Sequence, residues 1–166
     1  MVRVRWAEPG DQDFVNSVFK TPEIYKEISD DGCPSVENFE APPIEGAASY
    51  KFVIGFVDGQ RAAVFMVVPW NHITYEVHTL ILPEYRGREA VEMCRAGFAF
   101  FFSNTEGRKV VTHVPVYNRA AYALAYRAGM RTEGINKKSF LKNGVVYDQY
   151  IMGLIKEVEG CPQQLQ

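Results

Sequence analysis

His72–Ser103 reads HITYEVHTLILPEYRGREAVEMCRAGFAFFFS, and its two halves obey different periods. From His72 to Leu82, alternation puts Glu76, His78, Leu80 and Leu82 on one face and Tyr75, Val77, Thr79 and Ile81 on the other, the pattern of a strand. Pro83 ends it. From Arg86 to Ser103 the apolar residues Val91, Cys94, Phe98, Phe101 and Phe102 keep a helical period, which predicts a long helix with a broad buried stripe. The phenylalanine cluster is then core packing, and the turn Arg86-Gly87-Arg88 joins strand to helix.

Outward from this junction the pattern continues. Upstream, Val2, Val4 and Trp6 alternate with Arg3 and Arg5 as a first strand, and Pro9-Gly10-Asp11 ends it, with Asp11 offered as a helix N-cap. Phe14, Val15, Val18 and Phe19 follow at helical spacing, and Thr21-Pro22 restarts a second helix carrying Ile24, Tyr25 and Ile28. Asp30–Ser49 holds turn residues without periodicity and reads as a long loop of the kind that shapes binding sites. Tyr50–Val57 and Arg61–Val68 form a hairpin across Asp58-Gly59, and Trp70-Asn71 turns the chain into the His72 strand. Downstream come a strand over Lys109–Val116, a helix over Asn118–Ala128 stopped by Gly129, and a last hairpin, Arg131–Leu141 with Val145–Leu154, across Asn143-Gly144. The order is β-α-α-β-β-β-α-β-α-β-β, an α/β (α+β) chain with a mixed, largely antiparallel central sheet flanked by helices. Residues 1–156 read as a single domain, and 157–166 as a polar C-terminal tail.

The 166 residues are 47% hydrophobic, enough for one continuous core, and the formal net charge of −2 leaves no footprint for nucleic acid or an anionic membrane. Cys33, Cys94 and Cys161 are far apart and distant from the histidines, so neither a disulfide framework nor a metal site is expected. No apolar run is long enough to span a bilayer, and a cytoplasmic setting is expected.

Three stretches, LILPEYRGREAVEM (80–93), VPVYNRAAYALAYRAGMRTEG (114–134) and NGVVYDQYIMGL (143–154), together with the element order, resemble the GNAT acetyltransferase superfamily. The second half is most similar to the branch of ribosomal-protein N-terminal and polyamine acetyltransferases, through Gly129-Met130, Glu133-Gly134, Lys137 or Lys138, and Asp148 with Tyr150. The resemblance implies an acyl-CoA-dependent N-acyltransferase, with acetyl-CoA as co-substrate and a primary amine as acceptor, either a small molecule or a peptide N-terminus. Neither metal, nucleic acid nor membrane is implied, and a homodimer is a possible assembly. In the family, backbone N–H groups at a helix start receive the pyrophosphate, aided by the helix dipole. Arg86, Gly87 and Arg88 take that place here, while Glu89 and Val91 stand where the family has small residues. Leu80 and Leu82, just before the turn, and Asn118, eleven residues before Gly129, complete the implied coenzyme contacts. Read without the resemblance, the arginines are solvated and Asn118 is an N-cap.

Acyl transfer to an amine needs a proton acceptor, and a donor for the departing thiolate. The resemblance puts the general base at the end of the His72 strand, where Glu76 is the first candidate and His78 the second; a structural pairing of the two is the alternative. Ala125 occupies the family's thiolate-donor position, leaving Tyr122 and Tyr126 as candidate donors or as packing aromatics. His72 and His113 read as structural or exposed. The departures at Glu89, Val91 and Ala125 also fit a second reading, a GNAT-like module that binds a protein partner without catalysis.

Overall fold

A computed structural model describes residues 1–46 and 50–156. The tail expected at 157–166, Cys161 within it, and the last residues of the long loop lie outside the described residues. Seven strands form one sheet: β1 (Val2–Trp6), β2 (Lys51–Val57), β3 (Gln60–Pro69), β4 (Thr74–Ile81), β5 (Lys109–Pro115), β6 (Arg131–Lys142) and β7 (Val145–Ile155), in the order β1-β2-β3-β4-β5-β7-β6. All neighbours are antiparallel except β4 and β5. The helices are α1 (Gln12–Phe19), α2 (Pro22–Ile28), α3 (Arg88–Asn104) and α4 (Arg119–Arg127). No helix among the described residues is long and apolar enough to cross a membrane.

The hairpin turns follow the chemistry of their residues. Asp58-Gly59 and Asn143-Gly144 all have positive φ (48°, 84°, 53° and 71°), the twist a two-residue connection between antiparallel strands requires. Gly129, with φ 114°, ends α4. The long helix begins two residues later than its periodicity suggested, because Pro83–Tyr85 first makes a 3-10 turn.

Strand alternation builds a core on each face of the sheet. Val53, Phe65, Val77 and Ile81 meet Met93, Phe98 and Phe101 of α3 and Ala125 of α4. Phe52, Ile54, Val64 and Leu80 meet Val15, Val18 and Phe19 of α1 and Ile24 of α2. Cys94 sits in the first of these, and burial pushes its thiol up to about 12, so it serves as a small hydrophobe.

One irregularity shapes the molecule. The parallel ladder between β4 and β5 holds only Thr74↔Lys109, Tyr75↔Val110 and Glu76↔Val111, although β4 runs on to Ile81 and β5 to Pro115. Beyond Glu76 each strand stays paired with its outer neighbour, β3 or β7, and the two part from each other. The result is a V-shaped split in the middle of the sheet, open toward the start of α3.

Candidate active site

The closed end of the split holds a polar cluster on the face that α1 and α2 cover. Alternation along β4 points Glu76 and His78 that way, with Leu80, and alternation along β5 adds His113, two residues beyond Val111. Glu76 Oε1 lies 3.0 Å from His113 Nδ1, and Glu76 Oε2 accepts from Trp70 Nε1 at 3.1 Å. His78 Nε2 lies 3.8 Å from Glu76 Oε1, outside hydrogen-bond range. The turn between β3 and β4 places the indole: Asn71 Oδ1 accepts the N–H groups of Ile73 and Thr74 (3.0 and 2.9 Å), and Trp70 folds back until its ring centroid is 5.5 Å from that of His113.

Burial alone raises the Glu76 carboxyl, but the hydrogen bond from His113, the charge of His78 and the hydrogen bond from Trp70 outweigh it and hold Glu76 below the usual carboxylate range. His78 is lowered by loss of water, with Glu76 opposing and His113 adding to the fall. Near neutral pH the cluster therefore holds a carboxylate beside the neutral His78 imidazole. Its chemistry is that of a proton acceptor screened from bulk water on one side.

The open end of the split has a different character. Arg86 N–H donates to Pro83 O, whereas no described residue accepts from the N–H groups of Gly87, Arg88, Glu89 or Ala90. These are the orphan donors of a helix start, gathered at the positive end of its dipole. Gly87 has φ 103° and ψ −128°, a conformation open to glycine, and a Cβ there would meet nothing within 4 Å. Arg86, Arg88 and Glu89 are exposed, and Arg88 Nε pairs with Glu92 Oε1 at 2.8 Å.

Between the two ends, alternation assigns the free backbone groups. Leu82 N–H donates to Ala62 O, so Leu82 and Leu80 direct their polar groups at β3, and Leu80 is buried in the α1/α2 core. Thr79 and Ile81 direct theirs into the split, which gives them, in place of Leu80 and Leu82, the unpaired edge. Asn118 caps α4: its Oδ1 accepts Ala121 N–H at 3.0 Å and its Nδ2 donates to Glu27 Oε2 at 3.1 Å, tying α4 to α2. Tyr122 packs in the other core, its ring 4.9 Å from that of Tyr150 and its hydroxyl 3.0 Å from Thr132 Oγ1. Tyr126 is half exposed beneath the Arg131 guanidinium. The structure thus joins Glu76 and His78 to Trp70 and His113, and brings neither tyrosine to them. The sequence signal for His113 was its place two residues after Val111; only the β4–β5 register shows that it faces His78 across the split.

A sheet split between two parallel strands, with a free helix start at its mouth, defines the fold of the GNAT N-acetyltransferases, and this chain has that fold. The spermidine N-acetyltransferase of Vibrio cholerae, solved with CoA and spermine, superposes with a TM-score of 0.75 at 19% identity, over 93% of this chain and 95% of that one. Mutant forms of the Vibrio cholerae spermidine/spermine N-acetyltransferase give 0.72 at 20% identity over 93% and 95%. A candidate phosphinothricin N-acetyltransferase gives 0.71 at 18% identity, covering 95% of this chain and 100% of that one. A comparison with protein families finds no match, and neither does one with curated proteins.

Proposed function

We propose that the protein transfers an acetyl group from acetyl-CoA to a primary amine, a small molecule by first choice. The observation that carries this reading is the split itself, which runs from a cluster able to take a proton to a helix start able to bind phosphate. The residues present fit the coenzyme. The N–H groups of Gly87, Arg88, Glu89 and Ala90 would hold the pyrophosphate, with the exposed Arg86 and Arg88 adding charge. The free backbone edge at Thr79 and Ile81 would accompany the pantetheine arm, and Asn118, between β5 and α4, is the candidate contact from the other strand. When bound, acetyl-CoA supplies a thioester. The new C–N bond forms as the C–S bond breaks, its electron pair going to sulfur and the surplus proton of the amine completing the thiol.

The chain's own part is to bind, align and manage protons. The Glu76, His78 and His113 cluster at the closed end would convert the acceptor from ammonium to amine. Spermine in the Vibrio cholerae structure and the N-acetyltransferase name of the phosphinothricin neighbour support an amine acceptor. Calorimetric titration with acetyl-CoA, followed by a transfer assay over polyamines, amino acids and N-terminal peptides, tests the proposal. We expect binding, with transfer to at least one small amine. Absence of both heat and thermal shift at millimolar acetyl-CoA would refute it.

A further inference from the structure

Three polar groups surround the closed end of the split, and their geometry separates their roles. We propose that His113 takes the proton from the acceptor amine through its Nε2, and that Glu76 is the positioning residue that holds His113 for that task. The inference rests on the acetyltransferase reading above and deepens it.

Glu76 has both oxygens occupied, Oε1 by His113 at 3.0 Å and Oε2 by Trp70 at 3.1 Å. A carboxylate supplied with two donors is stabilised in its charged form and is a weak base. Its side chain is 19% exposed, so the carboxylate is largely withdrawn from water. An ionised carboxylate only accepts hydrogen bonds, so the His113 nitrogen that faces it, Nδ1, carries the ring proton. The lone pair is thereby placed on Nε2, which no described residue engages. His78 lacks this arrangement. At 3.8 Å from Glu76 and 44% exposed, its ring makes no hydrogen bond to a described residue that would set its tautomer.

The last paired residues of the parallel ladder are Glu76 and Val111, so the next residues on the same face are His78 and His113, one on each wall where the split begins. His113 is 17% exposed and its ring packs against the Trp70 indole, which with Glu76 fixes its plane. In the step itself, the ammonium nitrogen releases one proton to Nε2 and keeps the electron pair that will form the C–N bond. The resulting imidazolium keeps its Nδ1 hydrogen bond to Glu76 and returns the proton from Nε2 to solvent before the next cycle.

The test has two independent arms. Imidazole 15N chemical shifts of the wild-type protein without ligand should show His113 protonated on Nδ1 at neutral pH, and Glu76→Ala should abolish that fixed tautomer. A wild-type ring protonated on Nε2 overturns the inference whatever the activity. In steady-state kinetics, His113→Ala should lower kcat by about 100-fold or more with the KM for acetyl-CoA changed by less than about threefold, and added imidazole should restore part of the rate. Glu76→Gln should lower kcat on the order of 10-fold, and by less than about twofold in a His113→Ala background, because it acts through the missing ring. Additive losses, or a His113→Ala enzyme with wild-type kcat, overturn the inference alone. A wild-type protein that transfers to no amine, with the Nδ1 tautomer intact, overturns the functional reading and with it the proton-transfer role.

Discussion

Asp11 shows how a residue acquires a role from its surroundings. Its sequence context, after Pro9-Gly10 and before an amphipathic run, suggests an N-cap, yet its side chain caps nothing on α1. The chain enters the helix through a 3-10 turn over Pro9–Asp11, which swings the carboxylate inward until it is 1% exposed. There it receives Arg5 at 2.6 and 3.0 Å, Arg61 at 2.9 Å and the Glu8 N–H at 2.9 Å. Burial raises its carboxyl, but the Arg5 hydrogen bonds, the Glu8 N–H and the two arginine charges win, and it lies below its ordinary value of 3.8. Because the folded state binds the proton more weakly than the unfolded one, this stabilisation is complete above pH 3.8 and is lost as the pH falls toward the lower native value. We expect Asp11→Asn to destabilise the protein by about 2 kcal/mol at pH 7 and by progressively less as the pH is lowered through that window. Urea denaturation of both proteins from pH 7 to about pH 2 checks it; a difference that stays constant below pH 3.8 would show that the Asp11 charge does not carry the loss.

At the scale of the element, the start of α3 carries opposed demands. Its dipole favours acidic residues in the first turn, and Glu89 answers that need. The same free N–H groups are the proposed seat of a pyrophosphate, which Glu89 would repel, and the exposed Arg86 and the Arg88–Glu92 pair offset this only in part. Glu89→Gln should therefore tighten acetyl-CoA binding by about 2- to 5-fold while weakening the helix by a few tenths of a kcal/mol. Calorimetry together with thermal melts separates the two effects. Unchanged affinity would mean that the Glu89 carboxylate lies clear of the bound coenzyme.

Across the whole molecule, two cores share one sheet, so neither stands alone. Phe65 faces α3 so closely that a Cβ on Gly97 would lie 3.4 Å from its ring, while Ile54 faces α1. Phe65→Ala should cost about 3–5 kcal/mol and Ile54→Ala about 2–5 kcal/mol, in both cases within a single unfolding transition. Far-ultraviolet circular dichroism and the fluorescence of Trp6 and Trp70 would then give coincident curves; separated curves would show that the two faces unfold independently.

Local chemistry made most of the elements legible. Alternation along Val2–Trp6 and Thr74–Ile81, the helical period from Val91 to Phe102, and the Asp-Gly and Asn-Gly turns act between residues near in sequence, and the structure follows them. So does the facing of Glu76 and His78, because alternation survives wherever the strand is regular. Tertiary structure decided what depends on register and on partners. The short parallel ladder that stops at Glu76↔Val111 brings His113 of β5 to a carboxylate on β4. Pairing with β3 turned the backbone of Leu80 and Leu82 away from the split and left Thr79 and Ile81 facing it, and two distant arginines drew Asp11 from its cap. Local periods record which way a side chain points; which group it meets is settled when strands and helices far apart in the chain exclude water together.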